Sequence, residues 1–147
     1  MGATADAALS GGAEVIGVLP LALQEREIAH RGLTKLHLVG SMHERKALMA
    51  SLSDAFIALP GGYGTLDELF ELLTLVQTRK MRKPMPIVLF GTQYWKEIVN
   101  FKALADHQTI NVEDIDLMYQ TDSVDEAYDW IVKQLAEKAI GQPGATL

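Results

Sequence analysis

The sequence predicts an α/β fold, a doubly wound parallel sheet flanked by helices. Short apolar runs alternate with stretches of helical period along the whole chain, which is the signature of βαβ units joined by right-handed crossovers. No repeat, low-complexity block or long linker divides the 147 residues, a length that suits one domain with a real core. Hydrophobic residues make up 48% and charged residues 22%, the balance of a globular protein.

The elements follow in order. Ala3–Ser10 is alanine-rich and helical, and Gly11-Gly12 stops it. Glu14–Leu19 (EVIGVL) reads as a strand, and Pro20–Thr34 as a polar connection with room for a short helix. Lys35–Val39 (KLHLV) is a strand followed by a helix over Ser41–Leu52, and Ala55–Leu59 (AFIAL) a strand followed by a helix over Thr65–Thr78. Pro86–Phe90 (PIVLF) precedes a helix over Tyr94–Ala105; the weaker strand Asp116–Gln120 precedes a helix over Val124–Lys138, with Ser123 and Glu126 as its capping box. Residues 1–140 are expected to form a single domain, and 141–147 a frayed tail. A doubly wound domain normally opens with a strand and a crevice-lining turn, whereas this chain opens in a helix, so the fold is expected to be N-terminally incomplete.

Composition excludes several functions. A formal net charge of −6 argues against a duplex-DNA binder, and no nucleic-acid partner is expected. The absence of cysteine removes disulfides, thiolate zinc sites and cysteine nucleophiles, and fits the cytoplasm. The longest apolar run, Val15–Leu23, is too short to span a bilayer and is broken by Pro20, and no signal peptide is visible. The four histidines lack metal-ligand spacing, and Trp95 and Trp130 fall on amphipathic helices as packing residues.

Ligands of such sheets bind outside the carboxyl ends of the strands, which directs attention to the turns after Leu19, Val39, Leu59 and Phe90. Two helix starts there share a pattern, GSMHE and GTLDE, each readable as a capping box: Ser41 with Glu44, and Thr65 with Glu68. Periodicity adds a second reading. Glu68 stands four before Leu72 and eight before Val76, continuing the apolar stripe of Leu69, Leu72, Leu73 and Val76, whereas Asp67 falls with Glu71, Thr74 and Thr78 on a more polar face. A carboxylate sheltered in a cleft is a candidate for acid–base or charge-stabilising work. Arg45 begins the apolar stripe of its own helix, with Lys46 beside it. A cation in a first helical turn opposes the macrodipole, a cost that an anionic ligand would offset; a solvated charged turn is the plainer alternative, above all for Lys46. Gly61, Gly62 and Gly64 are expected to adopt positive φ and let backbone N–H groups and the Thr65 hydroxyl hold phosphate oxygens. The turn is neither a Walker loop nor G-x-G-x-x-G. The residues alone thus point to a phosphate-containing ligand with a glutamate and an arginine near its reactive part.

PGGYGTLDE, preceded by MHERK, resembles the Lonely Guy family of cytokinin riboside 5′-monophosphate phosphoribohydrolases, long mislabelled lysine decarboxylases. The resemblance runs from MGATADAAL to the last helix. It implies a Rossmann-like homodimer that cleaves the N-glycosidic bond of a nucleoside 5′-monophosphate, such as a cytokinin riboside monophosphate or AMP, without metal or organic cofactor. By position, Arg45 and Glu68 match the family's catalytic pair; Lys46 and the run Gly61, Gly62, Tyr63, Gly64, Thr65, Leu66 and Asp67 match its nucleotide-binding stretch; Glu27 matches a substrate-contacting glutamate and Thr74 a threonine lining the site. Three departures stand out: the family's early strand and Gly/Ser-rich turn are absent, Leu75 stands where many members have tryptophan, and TRKMRKP is more basic than usual. Rival readings are a nucleotide-binding module without catalysis, an oligomerising scaffold, and a lysine decarboxylase, which would need a pyridoxal phosphate lysine in a sheltered pocket.

Overall fold

A computed structural model describes residues 2–23, 29–81, 83 and 85–140. The elements run α1 (Gly2–Ser10), β1 (Ile16–Pro20), a 3-10 turn (Leu21–Leu23), β2 (Lys35–Val39), α2 (Met42–Leu52), β3 (Phe56–Ala58), α3 (Tyr63–Gln77), β4 (Ile87–Phe90), α4 (Thr92–Ile98), α5 (Phe101–Asp106), a second 3-10 stretch (Val112–Leu117), β5 (Met118–Thr121) and α6 (Val124–Ile140). The architecture is α/β with parallel strands flanked by helices, as the alternation of periods predicts.

The chain forms two compact units, residues 1–52 and 53–147. In the first, β1 and β2 pair in parallel, with Ile16 opposite Lys35 and Pro20 opposite Val39, and α2 packs on both strands. The start of α2 is held by the predicted capping pair: the Glu44 N–H donates to Ser41 Oγ (3.1 Å), while the Glu44 carboxylate accepts from the Gly40 N–H (2.7 Å), one residue further back than a standard box.

In the second unit, β4 is the middle strand of a parallel trio, flanked by β3 and β5. Its Ile87, Val88 and Leu89 are fully buried. From the helices, Leu69, Leu72 and Leu73 of α3, Trp95 of α4 and Phe101 of α5 complete this core. Removing each such side chain from water is worth about 1.5–3 kcal/mol. The Trp95 indole N–H, a polar group in an apolar site, donates to the Phe90 carbonyl (3.1 Å). Trp130 packs as expected, stacked on Tyr119 with centroids 5.3 Å apart. No helix among the described residues is long and apolar enough to cross a membrane.

Three expectations are corrected. The helix predicted from Thr65 begins at Tyr63, because the Gly62 carbonyl accepts the Leu66 N–H (3.1 Å) and closes a turn earlier; Gly62 is the cap, no side chain caps this end, and the Thr65–Glu68 box does not form. The single helix predicted over Tyr94–Ala105 is two, α4 and α5: Val99 is extended, and the Asn100 side chain accepts from the Ala103 N–H (3.0 Å) to start the second. Finally, Gly61, Gly62 and Gly64 do not have positive φ; among the described glycines only Gly12 and Gly91 do.

Candidate active site

In the first unit, α2 carries the cationic half of the predicted site. Arg45 is half-buried. Its Nε donates to the Val18 carbonyl of β1 (3.2 Å), which turns the side chain away from bulk solvent and lays it across the strand. Lys46, next in sequence, is also half-buried rather than fully solvated.

The second unit carries the glycine turn and the acids. Gly61 is required by a close approach. A Cβ there would stand 2.2 Å from Thr65 Oγ1 and 2.9 Å from Thr65 Cβ. Gly62 and Gly64 differ: a Cβ on either would meet nothing within 4 Å among the described residues. Packing against the described residues does not explain a glycine at these two positions, one of them inside the first turn of a 15-residue helix where glycine costs about 0.5–1 kcal/mol relative to alanine. The space they leave lies beside the N–H groups of Tyr63, Gly64 and Thr65, which a helix start leaves without intrahelical acceptors at the positive end of its dipole. Tyr63, between them, is 92% exposed.

Because α3 starts two residues early, Asp67 and Glu68 stand in its second turn and no acidic residue occupies the first. Glu68 is half-buried beside the Leu69–Leu72 stripe, while Asp67 is exposed, the distinction that helical periodicity predicts. On the neighbouring face an open groove of about 440 Å³ is lined by Leu66, Asp67, Phe70, Glu71, Thr74 and Leu75. Thr74 turns its hydroxyl back to the Phe70 carbonyl (2.7 Å). The structure therefore brings Leu66, Asp67 and Thr74 together and sets Glu68 on the adjoining, more sheltered side. Glu27 lies outside the described residues.

The turn after β4, one of the four strand-end turns that the sequence singles out, backs the glycine turn, although none of its residues is among the predicted site residues. Gly91 adopts φ 99°, its N–H donates to the Thr121 carbonyl (3.1 Å), and a Cβ there would come within 3.0 Å of Pro60 Cγ. The Tyr94 hydroxyl donates to the Gly61 carbonyl. Asp122, after β5, accepts from the Thr92 N–H (2.8 Å) and hydroxyl (2.5 Å). The Thr92 hydroxyl and then its N–H hold the Asp122 carboxyl below the ordinary aspartate value, against a small opposing effect of burial and with help from Lys96. The sequence signal was a glycine directly after a strand and ahead of a helix, in FGTQYW, the same arrangement as at Pro60–Gly64.

Lys35, Lys46, Lys80, Lys83, Lys96, Lys102 and Lys133 are half-buried or exposed, so none of these seven offers the sheltered amine that a pyridoxal phosphate site needs.

The family model described as possible lysine decarboxylase matches residues 1–131. The chain is similar to cytokinin riboside 5′-monophosphate phosphoribohydrolases from three organisms. That of Rhodococcoides fascians is 48% identical over 102 residues, covering 69% of this chain and 51% of the relative. That of Arabidopsis thaliana is 46% identical over 101 residues (69% and 47%), and that of Oryza sativa subsp. japonica 48% over 88 residues (60% and 36%). The chain thus spans about half the length, or less, of these curated relatives. With a match that runs through both the Arg45 and the Glu68 motifs, the chain belongs to the family described as possible lysine decarboxylase, the Lonely Guy family that its motifs resemble.

Proposed function

We propose that this chain hydrolyses the N-glycosidic bond of a nucleoside 5′-monophosphate, a cytokinin riboside monophosphate or AMP, to free base and ribose 5-phosphate. The observation that carries the reading is the pair of glycines, Gly62 and Gly64, kept free of side chains beside the amides that open α3, with a half-buried glutamate one turn further on. The amides and the Thr65 hydroxyl would take the 5′-phosphate. The bond from C1′ to the base nitrogen breaks with its electron pair going to the base, which gains a proton, and the oxygen of a water forms the new bond to C1′.

Positive charge develops on the ribose as the base leaves. Glu68, in partly shielded surroundings, would stabilise that charge and orient the water. Arg45 would bind phosphate or sugar oxygens, for which a guanidinium is suited by its fork of donors. Binding energy from the phosphate would position the reacting bond. Lys46, Tyr63, Leu66, Asp67 and Thr74, with Glu27, would complete the substrate contacts. No metal or organic cofactor enters this scheme. The protein would act as a homodimer in the cytoplasm.

Incubation with AMP and with a cytokinin riboside monophosphate, followed by chromatography for free base and ribose 5-phosphate, tests the reading. Equimolar release of both products is expected. Binding of either nucleotide without release of base would leave a nucleotide-binding module in place of a hydrolase.

A further inference from the structure

We propose that Tyr94 is a positioning residue for the glycine turn: its hydroxyl fixes the Gly61–Gly62 peptide so that the Gly62 N–H faces the phosphate. The inference rests on the nucleotide reading above. A peptide flanked by two glycines meets the least steric resistance to rotation. Rotated, it would turn its carbonyl, a partial negative charge, toward the anion. The Tyr94 hydroxyl donates to the Gly61 carbonyl and so draws that oxygen toward α4. In a planar trans peptide the C=O and the following N–H point in opposite directions, so pinning the carbonyl toward α4 sends the Gly62 N–H away from α4, and a Cβ on Gly62 itself would meet nothing within 4 Å among the described residues.

The pin is itself rigid. The Tyr94 ring stands edge-on to the fully buried Trp95, with centroids 5.2 Å apart and planes at 87°. The start of α4 is tied to the β5 end through Gly91 with Thr121 and through Thr92 with Asp122. Three consecutive strand-end turns, after β3, β4 and β5, are thereby linked by hydrogen bonds at the carboxyl ends of the sheet.

Tyr94→Phe removes the hydroxyl and keeps the ring. Calorimetric titration of the variant and the parent chain with AMP and with adenosine, together with steady-state hydrolysis of AMP, reads the effect. AMP is expected to bind about five-fold more weakly, the scale of one lost hydrogen bond expressed as a smaller binding-competent fraction. KM for AMP should rise by the same factor with kcat held within about two-fold. Adenosine, which lacks the phosphate, should bind both proteins alike. Unchanged affinity for AMP would overturn the proposal, and so would an equal loss for adenosine, since that would mark Tyr94 as general packing. A parent chain that binds AMP but frees no base would sink the hydrolase reading, and the two affinities would still decide the role of Tyr94. A parent chain that binds neither AMP nor ribose 5-phosphate would overturn both.

Discussion

Two glycines of the turn, Gly61 and Gly64, should respond to alanine in opposite ways. At Gly61 the added methyl would lie 2.2 Å from Thr65 Oγ1, 2.9 Å from Thr65 Cβ and 3.3 Å from Thr65 Cγ2. Rotating Thr65 about χ1 moves Oγ1 and Cγ2 but leaves Cβ in place, so relief requires a shift of the backbone where α3 begins. Overpacking of that kind costs about 1–3 kcal/mol. At Gly64 the methyl meets nothing, and alanine is the better helix former, so Gly64→Ala should stabilise by about 0.5–1 kcal/mol. Urea unfolding with a common slope measures both, and calorimetry with AMP supplies the second axis. Gly64→Ala is expected to be the more stable protein and the poorer binder, by about ten- to a hundred-fold, because the methyl displaces the phosphate from its amides. Adding Thr65→Gly to Gly61→Ala should return part of the lost stability, a coupling expected only between residues in contact. A Gly64→Ala protein that gains stability and binds AMP as before would refute the ligand role of the open glycines. A Gly61→Ala protein with an unmoved urea midpoint would refute the Thr65 contact.

Glu68→Gln keeps the shape and removes the charge; AMP affinity should hold while hydrolysis slows by at least about 100-fold, and near-normal turnover would remove Glu68 from the mechanism. Asp122 gives an acid-range signature. Its carboxyl is held below the ordinary value by Thr92, so its contribution to stability is complete above the unfolded value of about 3.9 and is lost as pH falls through the lower folded value. Asp122→Asn should therefore be less stable than the parent at neutral pH and should show a shallower loss toward pH ~2; parallel profiles of urea midpoint against pH would show that the Thr92 pair contributes nothing.

Element types were legible because they rest on period. β4 reads as a strand from PIVLF alone, and the burial of Leu69, Leu72 and Leu73 follows from their spacing. The same spacing separates half-buried Glu68 from exposed Asp67. Boundaries were harder, since they depend on single hydrogen bonds. Thr65 and Glu68 have the residue types of a capping box, yet the Gly62 carbonyl closes an earlier turn, and Tyr63 and Gly64 join the helix despite the poor propensity of glycine. Asn100 splits α4 from α5 by a cap that an amphipathic pattern passes over. Positive φ fell at Gly91 rather than in the Gly-rich stretch, for composition shows where glycine is and not whether conformation or a neighbour requires it. Tyr94 was out of reach for a further reason: its partner Gly61 is 33 residues away, and no local pattern encodes a contact made by two turns at neighbouring strand ends.

The early start of α3 also resolves an electrostatic conflict. A carboxylate in the first turn would lie beside the amides that are to hold a phosphate; at ~4 Å and an effective dielectric of ~20, two unit charges repel by about 4 kcal/mol. With Tyr63 as the first helical residue, the Glu68 Cα stands about 7.5 Å along the axis, and its side chain leans back toward the helix start. At ~6 Å the same repulsion falls to about 3 kcal/mol, and the helix start itself favours an anion by about 0.3–1 kcal/mol. What would remain is a ground-state penalty that reverses during the proposed reaction. In the proposed reaction, positive charge would grow on a ribose attached to the phosphate as the glycosidic bond opens, and that charge would be attracted to both anions. An interaction unfavourable in the bound substrate and favourable in the transition state lowers the barrier instead of tightening binding. Glu68→Gln should then do more than slow the reaction: relief of the repulsion would make AMP bind as tightly as to the parent chain or more tightly. Weaker AMP binding by the glutamine variant would place the carboxylate among the substrate-holding groups and not opposite the developing charge.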